Sequence, residues 1–322
     1  MNKINAFRLD ALDQPPALQK IAQPRPGPGE IGIRVAACGL NFADLLVCQG
    51  RYQVRPSLPA TLGMELSGTV EALGDGVTEP RIGRRIAAYS GGGGLADYAC
   101  VPAERCLPIP DDMPFEDAAG FLVAYGTSHL ALDHKARMQP GETLLVLGAA
   151  SGVGLTAVEI GKLMGARVIA SARGPDKLRA AQAVGADHLI DARTEDIRDA
   201  VLSLGGADVV YDAVGGDQFR AALRATRPGG RILAIGFASG DVPQIPANHL
   251  LVKNVDVLGL WWGGYAEFAP GVMMGSLATL MGWYADGRLQ PQIAKVLPLA
   301  RADEGLELLR SRRAAGKIVI TP

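Results

Sequence analysis

The chain is most constrained by Thr143-Leu-Leu-Val-Leu-Gly-Ala-Ala-Ser-Gly-Val-Gly-Leu155, an apolar run that halts at a glycine-rich turn and resumes at helical spacing. Thr143–Leu147 reads as a strand buried on both faces. Leu155, Val158, Glu159 and Lys162 read as the helix after it, so Gly148 to Gly154 forms a strand-to-helix turn. At such a turn the unpaired N–H groups of the helix start point outward, with the positive end of the helix dipole behind them, and a pyrophosphate fits that field. Gly152 and Gly154 carry no Cβ, which lets a phosphate approach the backbone and lets the helix pack closely on the strand. The spacing is G-x-x-x-G-x-G rather than G-x-G-x-x-G, and a tight turn holding no ligand fits the same letters.

The second buried strand, Ala166 to Ser171, indicates which dinucleotide the turn would hold. About twenty residues beyond the glycines an NAD enzyme places a carboxylate for the ribose 2′-hydroxyl; here stand Ser171, Ala172 and Arg173. A carboxylate would repel a 2′-phosphate, whereas Arg173 and, one turn into the next helix, Lys177 would neutralise one. The expectation is NADPH over NADH. The other reading is that Arg173 and Lys177 are solvated charges at a helix start.

At 322 residues the chain predicts two domains and a full core without staples. A net charge of −1, with arginines scattered and no interleaved aromatics, argues against nucleic acid as a partner. The first ten residues carry charges where a signal peptide needs an apolar core, so a cytoplasmic location is expected. Phe268 to Ala285 runs eighteen residues without a charge. It contains Pro270 and three glycines, and Met273, Leu277, Leu280, Met281 and Tyr284 follow helical spacing, so it reads as a buried helix with a proline start and not a membrane span. Cys38, Cys48, Cys100 and Cys106 form no C-x-x-C pair, which predicts four free thiols and no structural zinc.

Up to about residue 120 the chain is a succession of short β-like runs: Gly32 to Ala37, Ser67 to Ala72, Arg85 to Ser90 and Asp97 to Val101. From Ala118 helical patterns alternate with buried strands at Thr143–Leu147, Arg167–Ala170, His188–Ile190, Asp208–Tyr211, Arg231–Gly236 and Asp256–Leu260. Six strands separated by helices predict a doubly wound parallel sheet of the dinucleotide-binding kind. The final run Lys317–Ile320 has no parallel partner left and is expected to return to the β-rich domain.

Seven ordered motifs carry a resemblance over essentially the whole length: Cys38-Gly-Leu-Asn-Phe-Ala-Asp44, Leu62-Gly-Met-Glu65, Gly92-Gly-Gly-Leu-Ala-Asp-Tyr98, Ala124-Tyr-Gly-Thr127, Gly148 to Gly154, Asp212-Ala-Val-Gly-Gly216 and Gly316-Lys-Ile-Val-Ile320. The chain resembles the zinc-independent quinone oxidoreductases, the zeta-crystallin-like branch of the medium-chain dehydrogenase/reductases. The resemblance implies an α/β protein, a doubly wound parallel Rossmann sheet at 124–263 plus a β-rich GroES-like catalytic domain made of 1–123 and 264–322. It implies no metal: Asn41 stands where the zinc alcohol dehydrogenases have a ligating cysteine, and Met64 where they have a histidine. An amide and a thioether do not replace a thiolate and an imidazole around Zn²⁺.

The activity so implied is hydride transfer from NADPH to a quinone without metal or flavin. The nearest alternative is an enal, enone or enoyl thioester reductase, and an alternative of another class is a structural protein that keeps the cofactor fold without turnover. By resemblance the cofactor would be held by Asn41, Thr127, Ala150, Ser151, Gly152, Val153, Ser171, Arg173, Lys177, Val214, Gly236, Phe237, Ser239 and Lys317. Thr127 would contact it from the hinge, and the Gly236–Gly240 loop and Lys317 would flank its nicotinamide half. Tyr52 and Asn41 are the catalytic candidates, Asn41 near the nicotinamide ribose and the substrate oxygen, and Tyr52 as a phenol able to bind a developing oxygen or donate a proton. Read without the resemblance, Asn41 would cap a helix beginning at Phe42 and Tyr52 would be a packed loop tyrosine. Leu46 and Ala192 depart from the family, standing where tyrosines are common in quinone reductases. A homodimer is expected, paired through the apolar segment Val255 to Trp262.

Overall fold

The computed structural model describes residues 2–322. They fall into two compact units, one running to Val123 and resuming at Pro291–Pro322, the other covering Ala124–Gln290.

The second unit is built on six strands: β1 (Thr143–Leu147), β2 (Arg167–Ala172), β3 (His188–Asp191), β4 (Ala207–Asp212), β5 (Thr226–Ala234) and β6 (Asp256–Gly259). Every pairing is parallel, in the order β3-β2-β1-β4-β5-β6. Helices α1 (Gly152–Leu163), α2 (Pro175–Ala183), α3 (Ile197–Ser203) and α4 (Gly216–Ala225) follow the first four strands. This is the doubly wound Rossmann arrangement, and strand order reverses between β1 and β4. All five residues of β1 are buried, as a central parallel strand covered on both faces requires. Leu145, Leu147, Ile169, Val210, Phe219 and Ile232 form part of one core cluster. Each such side chain contributes about 1.5–3 kcal/mol by leaving water.

The first unit holds a seven-stranded sheet, in the order Ile293–Pro298, Lys317–Thr321, Glu30–Leu40, Glu65–Leu73, Arg85–Tyr89, Cys106–Pro108, with Tyr98–Pro102 also on Glu30–Leu40. Its core gathers Ile31, Ile33, Val35, Leu66, Val70, Ile86 and Val101. Lys317–Thr321 pairs antiparallel with the end of Glu30–Leu40.

The segment 264–290, expected in the β-rich domain, lies in the second unit. Helix Pro270–Ala285 starts with its proline in the first turn and buries Met273, Ser276, Leu277, Leu280 and Met281. Local chemistry holds the segment there: His129 Nδ1 lies 2.8 Å from Ser276 Oγ, and the Gln290 N–H donates to Glu159 at 2.7 Å. Among the described residues no helix is long and apolar enough to cross a membrane.

Candidate functional site

In the second unit the candidate residues gather at the carboxyl ends of the strands, the edge where doubly wound sheets bind ligands. Ser151 caps α1, its hydroxyl accepting from the Gly154 N–H at 3.1 Å and donating to the Gly148 carbonyl at 2.8 Å. Gly154 lies so close to the turn that a Cβ there would stand 2.3 Å from the Gly148 oxygen. The N–H groups of Gly152 and Val153 have no partner among the described residues, which leaves the first-turn donors open to an anion.

Beside this turn, the Ser171 carbonyl accepts from the Ala149 N–H at 3.0 Å. The Ser171 hydroxyl is completely buried and lacks a hydrogen-bond partner. Leaving such a group unmade costs about 1–3 kcal/mol, so it is a natural ligand contact. Arg173 is exposed and makes no ion pair among the described residues, and Lys177 is half-buried in the first turn of α2. An acid on this edge, Asp191, is ion-paired. Arg193 grips its carboxylate, at 2.8 Å from one guanidinium nitrogen, and with the Gly174 N–H holds it well below the usual carboxylate range. The Arg193 guanidinium lies against Gly174, next to Arg173, a second cation that sequence reasoning missed. These residues fit a pyrophosphate at the turn and a phosphate near Arg173.

Two further loops meet across the strand ends. Burial raises the Asp212 carboxyl, although it accepts from the N–H groups of Val214 at 2.8 Å and Gly215 at 2.9 Å. The Ser239 N–H donates to the Val214 carbonyl at 2.8 Å, which brings Val214 together with Gly236, Phe237 and Ser239. Phe237 stays exposed. Thr127 is buried on helix Leu122–His129, and its neighbour Ser128 ties that helix to the glycine turn by donating to the Val153 carbonyl at 3.0 Å.

The first unit holds a polar cluster built by strand register. Gly39 faces Val319 on one side and Glu65 on the other, so three adjacent strands deliver Lys317, Asn41 and Glu65 to one place. Gly39 is needed there, since a Cβ would stand 2.9 Å from Glu65 Oε1 and 2.2 Å from the Ala119 oxygen. Lys317 Nζ donates to Glu65 Oε1 at 2.6 Å, Asn41 Oδ1 at 2.8 Å and the Leu40 carbonyl at 2.9 Å. Asn41 Nδ2 donates to Glu65 Oε1 at 3.0 Å and to the Gly39 carbonyl at 3.3 Å. Glu65 Oε2 accepts from the Val123 N–H at 2.9 Å.

Asn41 does sit at the N-cap of helix Phe42–Cys48, in a capping-box arrangement with Asp44, but the Asp44 N–H that its side chain faces is given to the Asn41 backbone carbonyl at 2.9 Å. Asp44 supports that end instead, accepting from the Asn41 N–H at 2.8 Å and the Gly63 N–H at 3.3 Å. Burial is the main cause that raises the Asp44 carboxyl to about 6, the two N–H groups and Lys317 opposing it. Lys317, which resemblance sets against the nicotinamide half, is buried with three internal acceptors for its three N–H donors. Its ammonium has no donor left for a cofactor. Tyr52 is half-buried in the irregular segment after helix Phe42–Cys48.

The four cysteines are free. Burial first, then Asp44 and Glu65, raise the Cys38 thiol well above its ordinary value, and burial pushes Cys106 up to about 12, so neither is poised as a thiolate.

Two family models match the chain, the alcohol dehydrogenase GroES-like domain over residues 27–111 and the zinc-binding dehydrogenase over residues 152–276. Mouse quinone oxidoreductase-like protein 2 is 38% identical over 315 residues, covering 96% of this chain and 90% of that protein. The chain belongs to the medium-chain dehydrogenase/reductases, in their quinone oxidoreductase branch. Among solved structures of this superfamily, the quinone oxidoreductase of Thermus thermophilus, solved also with NADPH, is 33% identical with a TM-score of 0.86, covering 99% of this chain and 100% of that one. A mycobacterial protein complexed with NADPH is 29% identical with a TM-score of 0.93, again covering 99% and 100%.

The metal in the second family model's description does not fit this member. Asn41 and a buried Met64 are poor zinc donors, and the Lys317 ammonium, 2.8 Å from Asn41 Oδ1, would repel Zn²⁺ from the amide.

Proposed function

We propose that this reductase uses NADPH to reduce a quinone without metal or flavin. The observation that carries the reading is the Lys317–Asn41–Glu65 cluster where zinc relatives bind metal, which favours an acceptor that needs no Lewis acid. Bound NADPH supplies a hydride, and with one further proton the quinone becomes a hydroquinone, leaving NADP⁺. Ala150, Ser151, Gly152 and Val153 cradle the pyrophosphate. Ser171, Arg173 and Lys177 receive the 2′-phosphate side, with Arg193 cancelling the negative charge of Asp191. Thr127, Val214, Gly236, Phe237 and Ser239 serve the nicotinamide half, Asn41 binds close to the reacting groups, and Tyr52 lines the acceptor.

NADPH oxidation against a panel of quinones, enals and enoyl thioesters tests the reading, with quinones expected to turn over fastest. Tyr52→Phe is expected to affect mainly KM for a quinone, because hydroquinone protons come from water. Negligible quinone turnover, joined to a loss of about 10²–10⁴-fold in kcat on an enoyl substrate in that variant, would reassign the protein as an enone or enoyl thioester reductase. Absence of turnover with every acceptor would favour the structural role.

Arg173→Ala is expected to weaken NADPH about ten- to a hundredfold, as loss of a charge-assisted phosphate contact of about 1.5–3 kcal/mol implies, and to leave NADH almost unchanged. Equal losses for both cofactors, measured by titration calorimetry, would reject Arg173 as the 2′-phosphate contact.

We further infer a homodimer. Strand β6 lies at the sheet edge, and Leu251, Val252 and Trp261 beside it expose apolar surface. Light scattering at micromolar concentration is expected to give twice the chain mass, and a monomer mass would count against pairing there.

A further inference from the structure

We infer that the buried Lys317–Glu65 pair positions Asn41, locking its amide so that it accepts a hydrogen bond from a ligand hydroxyl and donates none. The inference rests on the proposed NADPH-dependent activity and specifies what Asn41 does in it.

An asparagine amide offers two N–H donors and an oxygen with two acceptor sites. Here both donors are engaged, at 3.0 Å by Glu65 Oε1 and at 3.3 Å by the Gly39 carbonyl. The oxygen receives one bond, from Lys317 Nζ at 2.8 Å, since the Asp44 N–H that it also faces is given to the Asn41 backbone carbonyl at 2.9 Å. A single acceptor site on Oδ1 remains. The opposite orientation would set the NH₂ group against the ammonium and the carbonyl against the carboxylate, so two charges of opposite sign choose the same rotamer. Glu65 is fully buried and Lys317 nearly so, which strengthens that choice in a low-dielectric setting.

The chemical consequence is a restriction on the ligand. The free site on Oδ1 suits an O–H donor, such as a hydroxyl of the nicotinamide-side ribose or of a hydroquinone product. It offers nothing to an enolate or a carbonyl oxygen, both of which need a donor. Asn41 therefore orients a hydroxyl, and stabilisation of a developing oxyanion falls to another group.

Lys317 and Glu65 are thus positioning residues acting through Asn41, and thermodynamic coupling tests this. In NADPH titrations Asn41→Ala is expected to weaken binding about three- to tenfold, the range for one neutral hydrogen bond. The double variant Lys317→Met/Glu65→Gln removes both buried charges together and leaves Asn41 free to turn over; it is expected to fold and to lose binding by about twofold, less than Asn41→Ala, because a freed amide still accepts in one of its two orientations. The triple variant is expected to bind no worse than Asn41→Ala alone. Multiplying losses in the triple variant, or unchanged binding in Asn41→Ala, would overturn the inference.

A second measurement needs no cofactor and no variant. In the wild type the two Asn41 side-chain N–H groups are expected to exchange with solvent roughly tenfold or more slowly relative to those of exposed Asn248. Equal exchange would overturn the inference on its own. Failure of the wild type to bind NADPH, with Asn41 exchange still slow, would sink the proposed function and leave the locked amide standing.

Discussion

Lys317→Met is expected to destabilise the first unit by about 3–5 kcal/mol, the usual cost of leaving one partner of a buried ion pair alone. Glu65 Oε1 lies 2.6 Å from the ammonium and is completely shielded from water, so no solvent replaces the lost cation. Among the described residues Asn41 Nδ2 would remain as the only donor to that oxygen. Adding Glu65→Gln should restore most of the loss, because a neutral pair of similar volume carries little desolvation cost. Denaturant titration of the two variants decides the matter. A loss below about 1 kcal/mol in Lys317→Met would show that the pair behaves as a solvated surface bridge.

Gly154→Ala should abolish tight NADPH binding and lower stability by about 1–3 kcal/mol through overpacking. Two effects compete at this position. Alanine in a helix gains about 1 kcal/mol over glycine, whereas the new Cβ would meet the Gly148 oxygen at 2.3 Å and the Ala149 Cα at 2.8 Å. Both obstacles are backbone, so relief requires the turn itself to move, and with it the open N–H groups of Gly152 and Val153. The clash should win. Thermal unfolding and NADPH titration provide the check, and a more stable variant with intact binding would show that the turn yields cheaply.

Much of the second unit was legible in the sequence because its signals are local. A parallel strand covered on both faces is an unbroken apolar run, and a strand-to-helix turn needs glycines at fixed offsets. Thr143–Leu147 and Gly148–Gly154 displayed both, and the six expected strands are the six observed, the fifth beginning earlier at Thr226. The departure from the zinc ligand set was legible through the resemblance, which sets Asn41 and Met64 at the positions of a cysteine and a histidine. Ser171 and Arg173 were legible as residues, but the orphaned state of the Ser171 hydroxyl and the approach of Arg193 to Gly174 depend on folding. The assignment of 264–290 was not legible, because one buried helix face fits either unit until Ser276 is seen beside His129.

Composition and periodicity thus determined the kinds of element and the glycine-rich strand-to-helix turn, while the unsuitability of residues 41 and 64 for a metal came from the resemblance read residue by residue. Only the tertiary structure decided which partners Asn41 and Lys317 take. Lys317 bonds partners 276 and 252 residues away, at Asn41 and Glu65. No pattern along the chain encodes that meeting. It follows from the register of three strands and from the absence of a side chain at Gly39, which together turn a distant lysine inward and leave one acceptor site on Asn41.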